Sequence, residues 1–125
     1  MKVLASYARV YASDIEDAIL LFACSPDEKP RLRFSHSSGL ELALVGEVLI
    51  LAGPDHVLSA FRATQVTLIV ESLDDAMAFA LERRGTLVRQ PAEQPTGRNA
   101  TVAYPGGEVV EYVEWSAATR AEVGV

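Results

Sequence analysis

Glu111 stands in the middle of "GEVVEYVE" (107–114), a β-branched run close to the end of the chain. A carboxylate that faces inward on a partly apolar surface needs compensation. Arg9 or Arg98 can supply it, and so can a cationic ligand. The same group can also act as a general base, because an apolar pocket raises a carboxylate pKa towards neutrality. Three roles therefore stand open for Glu111: half of an Arg–Glu pair, charge partner of a ligand, or base. The tight turn "PTG" (95–97) delivers Arg98 and Asn99 to the start of a strand. They are either a solvated pair or contacts to a ligand or partner. Trp115 closes the final run, where it caps a ligand, meets a second subunit or clamps the tail.

Strand parity adds further candidates. Tyr7, Arg9 and Tyr11 alternate with Ala8, Val10 and Ala12 along "YARVYA" (7–12). The small apolar set suits packing under a helix. Two tyrosines beside an arginine suit a lined cavity, although a solvated face has a similar pattern. Along "QVTLIV" (65–70), Val66, Leu68 and Val70 form the helix-facing set, and Gln65, Thr67 and Ile69 form the other. A ligand held between Tyr7, Tyr11, Phe22 and Trp115, with Glu111 as its charge partner, is aromatic or cationic. His36 and His56 are the only histidines, and nothing in the spacing joins them to Glu111. His36 reads as a surface or rim residue. Cys24, near a helix C-terminus, sits at the wrong end of the dipole for a reactive thiolate and reads as packing. The chain has no nucleophile elbow, no glycine-rich phosphate loop and no metalloprotease helix motif.

The elements that would position these residues come as a repeat. "ASDIEDAILLFA" (12–23) aligns without a gap with "VESLDDAMAFAL" (70–81), at an offset of 58. "GEVLI" (46–50) aligns with "GEVVE" (107–111) at an offset of 61, which sets Ile50 against Glu111. Each copy begins with a strand and meets an N-cap candidate, Ser13 or Asp14 in the first and Ser72 in the second. Acidic first turns follow, at Glu16 and Asp17 and at Asp74 and Asp75. Apolar residues then recur at helical spacing: Ile15, Ala18, Ile19 and Phe22, then Leu73, Ala76, Met77 and Ala80. The first helix is expected to end around Cys24–Pro26, the second at "RRG" with Gly85 as the residue beyond its C-cap.

Three strands follow each helix, at 31–36, 40–45 and 47–52, then at 86–92, 98–104 and 108–115. "SSG" (37–39) and "PGG" (105–107) signal turns, and Gly46 a tight hairpin. The class is α+β, with module one at 5–53, a linker at 54–64, module two at 65–115 and an unplaced Ala-rich tail at 116–125. These modules are read as one domain.

Bulk properties restrict the function. A chain of 125 residues can bury one proper core. The net charge of −6 argues against nucleic acid. No apolar run is long enough to cross a bilayer, and no signal peptide is expected in "MKVLASYARVYASD". One cysteine allows no intrachain disulfide, so a cytoplasmic location is expected, where the "NAT" sequon (99–101) is idle.

Two copies of strand–helix–three strands, with "YASDIEDA" opening one and "PGGEVVEYVE" closing the other, resemble the vicinal oxygen chelate superfamily. That is the group of glyoxalase I, bleomycin-resistance proteins and extradiol dioxygenases. The resemblance spans residues 5–115 and implies two half-barrels around a ligand cleft. Metal-dependent members carry ligands at four places, which fall here on Tyr7, Ile50, Gln65 and Glu111. Only Glu111 is a usual ligand type. The resemblance thus implies a metal-free, cofactor-free member, expected to be a homodimer that binds a small molecule in its cleft, as the resistance proteins do. Alternatives are a metal-independent isomerase or lyase with Glu111 as base, a metal-dependent lyase or dioxygenase if the ligand places are misassigned, or an interaction module whose tail docks on a partner.

Overall fold

The computed structural model describes residues 1–36 and 38–125. Eight strands and four helices occur among them. The order is β1 (Val3–Ala12), α1 (Ile15–Phe22), β2 (Leu32–Ser35), β3 (Glu41–Val45), β4 (Val48–Ala52), α2 (Asp55–Leu58), β5 (Val66–Val70), α3 (Leu73–Glu82), β6 (Thr86–Gln94), β7 (Gly97–Ala103), β8 (Val109–Trp115) and α4 (Ala117–Val123). The class is α+β, and strand–helix–three strands occurs twice. The chain divides into two compact units, residues 7–63 and residues 1–6 with 64–125.

In the first-module unit the strands run β2-β3-β4-β1. The β1–β4 pair is parallel and the other two are antiparallel. Asp14 caps α1, its carboxylate accepting from Asp17 N at 2.9 Å. Ile15, Ala18 and Ile19 bury against Ala43, Val45, Ile50 and Ala52. Each isoleucine contributes roughly 1.5–3 kcal/mol by leaving water. The helix stops at Phe22, short of the expected Cys24–Pro26, because Ala23 is already extended. A two-residue turn joins β3 to β4, with Gly46 at φ +57. Of the "SSG" turn signal, Ser38 and Gly39 lie in a turn and bend, and Ser37 lies outside the described residues.

In the second-module unit the order is β5-β8-β7-β6, with β5–β8 parallel and the rest antiparallel. The first residues belong here, Lys2 O accepting from Glu71 N at 3.0 Å. Ser72 caps α3 through Asp75 N at 3.1 Å. Leu73, Ala76 and Ala80 bury against Val70, Ala100, Val102 and Tyr112. The residue in left-handed conformation after α3 is Arg84, at φ +61, and not Gly85. Gly85 is needed for space: a Cβ there would lie 2.5 Å from Val102 Cγ1 and 3.1 Å from Ala80 O. The Ala-rich tail forms α4, capped by Ser116.

The register corrects the repeat alignment. Arg9 pairs with Leu49 in the first unit and Thr67 with Glu111 in the second. Arg9 and Thr67 are 58 residues apart, so Leu49 is the counterpart of Glu111. Ile50 lies one residue on and belongs to the core under α1. A one-residue shift in a strand exchanges its faces, which the short repeat could not resolve.

Candidate functional site

In the second module, the face away from α3 carries two cross-strand rows. Thr67, Glu111 and Thr101 form one, and Ile69, Val113 and Asn99 the next. Thr67, Thr101, Ile69 and Val113 are buried, and Glu111 is half-buried. The Thr67 hydroxyl donates to Glu111 Oε1 at 3.0 Å, and Asn99 Nδ2 donates to Oε2 at 3.2 Å. Each carboxylate oxygen thus has its own donor, from a different neighbouring strand. Two such bonds fix the carboxylate's orientation. Val109, Val113 and Trp115 share its face of β8 by parity. An oriented carboxylate beside apolar surface can bind an N–H donor or cation, or take a proton.

Gln65 is exposed, and its side-chain oxygen accepts from Val109 N at 3.0 Å. Arg98 is a correction. Strand alternation sends it to the α3 side of β7, away from Asn99 and Glu111. There its guanidinium meets Glu114 Oε1 at 3.3 Å and lies 3.8 Å from Asp74 Oδ1. Glu114 Oε1 also accepts from Leu73 N, at the start of α3, at 2.8 Å. That backbone bond, helped by Arg98, holds the Glu114 carboxyl below its ordinary pKa. Tyr112 is likewise on the α3 side, its hydroxyl 2.5 Å from that of Tyr104. Burial, then the Tyr104 bond, pushes the Tyr112 phenol up.

In the first-module unit, Tyr7, Arg9 and Tyr11 share the face of β1 away from α1, opposite Leu49 and Leu51 on β4. Arg9 lies 5.5 Å from the centroid of the Tyr11 ring, and the Tyr11 hydroxyl donates to Phe61 O at 2.5 Å. Tyr7 is buried, which raises its phenol pKa against the opposing pull of Arg31. Phe22 is a second correction. It ends α1 on the other side of the sheet, 37% exposed beside the exposed Leu20 and Leu21, so it does not line a site with these tyrosines. Cys24 is exposed and not the packing residue expected. His36 bonds locally with Ser38, and His56 is exposed on α2.

The donor set does not fit the divalent metal of the superfamily. Of the four places, Leu49 cannot bind a metal, Tyr7 is buried and not a usual ligand, the Gln65 oxygen is held by a backbone amide, and Glu111 alone is a usual ligand. Among the described residues no group of three or more His, Cys, Asp or Glu converges. The sequence reading missed Thr101 and Glu114. Parity alone places Thr101 beside Asn99, but nothing local marked Glu114 as a cap for α3.

Comparison with solved structures decides the family. An uncharacterized protein from Methanosarcina mazei is 38% identical, over 93% of this chain and 95% of that one, with a TM-score of 0.83. Methylmalonyl-CoA epimerase from Mycobacterium tuberculosis superposes with a TM-score of 0.71 at 16% identity, over 95% of this chain and 93% of that one. A methylmalonyl-CoA epimerase in complex with methylmalonyl-CoA and NH4+ gives 0.69 at 10%, over 94% and 97%. The chain belongs to one family with the Methanosarcina protein, and its fold is that of the vicinal oxygen chelate superfamily. No family model matches it, and no curated protein matches it. No helix among its described residues is long and apolar enough to cross a membrane.

Proposed function

We propose that the chain binds a small aromatic or cationic molecule on the face of its second module away from α3, with Glu111 as the polar anchor. The observation that carries this reading is the Glu111 carboxylate, held at both oxygens by Thr67 and Asn99. A group already fixed by its neighbours loses little freedom when a ligand arrives. Trp115 and Val113, both buried, make the surroundings of the carboxylate apolar on the same face of β8. The protein is then a cytoplasmic homodimer that sequesters a drug or metabolite without turning it over. Thermal shift against matched small aromatic amines and aromatic carboxylates tests this. The amines are expected to raise Tm in the wild type and not in Glu111→Gln. Equal stabilisation by the carboxylates, or an undiminished shift in the variant, would refute it.

The methylmalonyl-CoA epimerases among the similar structures favour a second reading, in which Glu111 is the base of a metal-independent isomerase. Orientation by Thr67 and Asn99 suits that role as well. Incubation with methylmalonyl-CoA in D2O would then exchange the proton α to the thioester, and Glu111→Gln would not. No exchange by the wild type removes this second reading for that substrate.

A further inference from the structure

We infer that Arg98 and Glu114 are positioning residues for Asn99, deciding which of the neighbouring side chains Arg98 and Asn99 reaches Glu111. The inference rests on reading Glu111 as the site's anchor. β7 starts directly after the two-residue turn Pro95–Thr96, with Gly97, Arg98 and Asn99 opposite Gln94, Glu93 and Ala92 of β6. Beyond Asn99 its β6 pairing is interrupted by two register shifts, so that side does not carry the register onward. On its β8 side it is unbroken from Gly97↔Trp115 to Ala103↔Val109, and Arg98 lies directly opposite Glu114. One oxygen of Glu114 gathers three elements. It takes Leu73 N from α3 at 2.8 Å and Arg98 Nη2 from β7 at 3.3 Å, and is itself on β8.

A cation beside a carboxylate on one face of a strand leaves its sequence neighbour on the other face. With Arg98 held at the start of α3, Asn99 must project oppositely, where its amide reaches Glu111 Oε2 diagonally across the β7–β8 pair. A slip of one residue would exchange the two, putting a guanidinium where the neutral amide now stands. The remainder of β7 is kept in place by the burial of Ala100 and Val102, so the pair acts on the strand's first turns of the ladder.

The sequence makes a direct test possible. Asn99 is the only asparagine, and only three glutamines, Gln65, Gln90 and Gln94, share its region of an amide spectrum. In ¹⁵N-edited NMR of the full chain, the Asn99 side-chain amide protons should show NOEs to the Glu111 methylenes. Arg98→Met is expected to abolish those NOEs, and Arg98→Lys, which keeps the cation, to retain them. Glu114→Gln is expected to weaken them while its amide oxygen still accepts from Leu73 N. Retention of the NOEs in Arg98→Met overturns the inference. So does their loss together with the cross-strand backbone NOEs between Thr101 and Glu111, which would make the pair a general stabiliser. No ligand enters the measurement, so it can fail while the binding reading stands, and the reverse.

Discussion

Thr67→Val removes a donor to Glu111 with almost no change of shape. Thr67 is 2% exposed, and its hydroxyl donates to Glu111 Oε1 at 3.0 Å. A hydrogen bond to a charged group contributes about 1.5–3 kcal/mol, and the half-exposure of Glu111 argues for the lower end. Replacing the hydroxyl by a buried methyl returns up to about 0.8 kcal/mol. The net loss is about 1 kcal/mol, a fall in Tm of about 3–6 °C at this chain length. Urea unfolding at neutral pH measures it. Glu111→Ala and the double variant complete a mutant cycle, which isolates the pair's coupling from changes in the surroundings. The expected coupling is about 1 kcal/mol. A coupling within about 0.3 kcal/mol of zero would mean that Thr67 does not hold the carboxylate, and the proposed anchor would lose its support.

Gly97→Ala should destabilise by about 2–4 kcal/mol, combining a positive φ with overpacking; a Cβ at φ +148 would meet Glu114 O at 2.1 Å, and an unchanged unfolding midpoint would contradict the geometry. Glu114 has a depressed folded-state pKa, so its contribution is complete above the ordinary value of 4.5 and is lost as pH falls through the folded value. The stability gap between wild type and Glu114→Gln should therefore be constant near neutrality and shrink in acid, as read by urea midpoints at a series of pH values. Tyr7 and Tyr112 should ionise above the ordinary 10.0, seen as late steps in ultraviolet titration, and Tyr112→Phe should remove one of those steps.

Much of the scaffold was legible because local chemistry and tertiary role agree. The caps at Asp14 and Ser72 and the apolar spacing that follows them mark both module helices. Strand alternation separated Thr67 from Leu68 correctly, since one face must bury under a helix. The errors are of three kinds. Ile50 was set against Glu111 because two five-residue segments cannot fix a register that the β1–β4 pairing decides. Arg98 and Phe22 were drawn to the site by their chemistry, but the face each occupies follows from where β7 and α1 pack. Gly85 drew the helix-end reading for its freedom, whereas its role is room for Val102 and Arg84 takes the left-handed turn. The partners of Glu114 come from α3 and β7, and no local pattern reveals them.

Native mass spectrometry of the purified wild type and of Glu111→Gln tests the central claim most directly, since it weighs the subunits and whatever small molecule they carry in one spectrum. The account predicts an organic mass retained by the wild type and lost or much reduced in the variant. An adduct of equal occupancy in both, or a stoichiometric divalent metal in place of an organic mass, would contradict it.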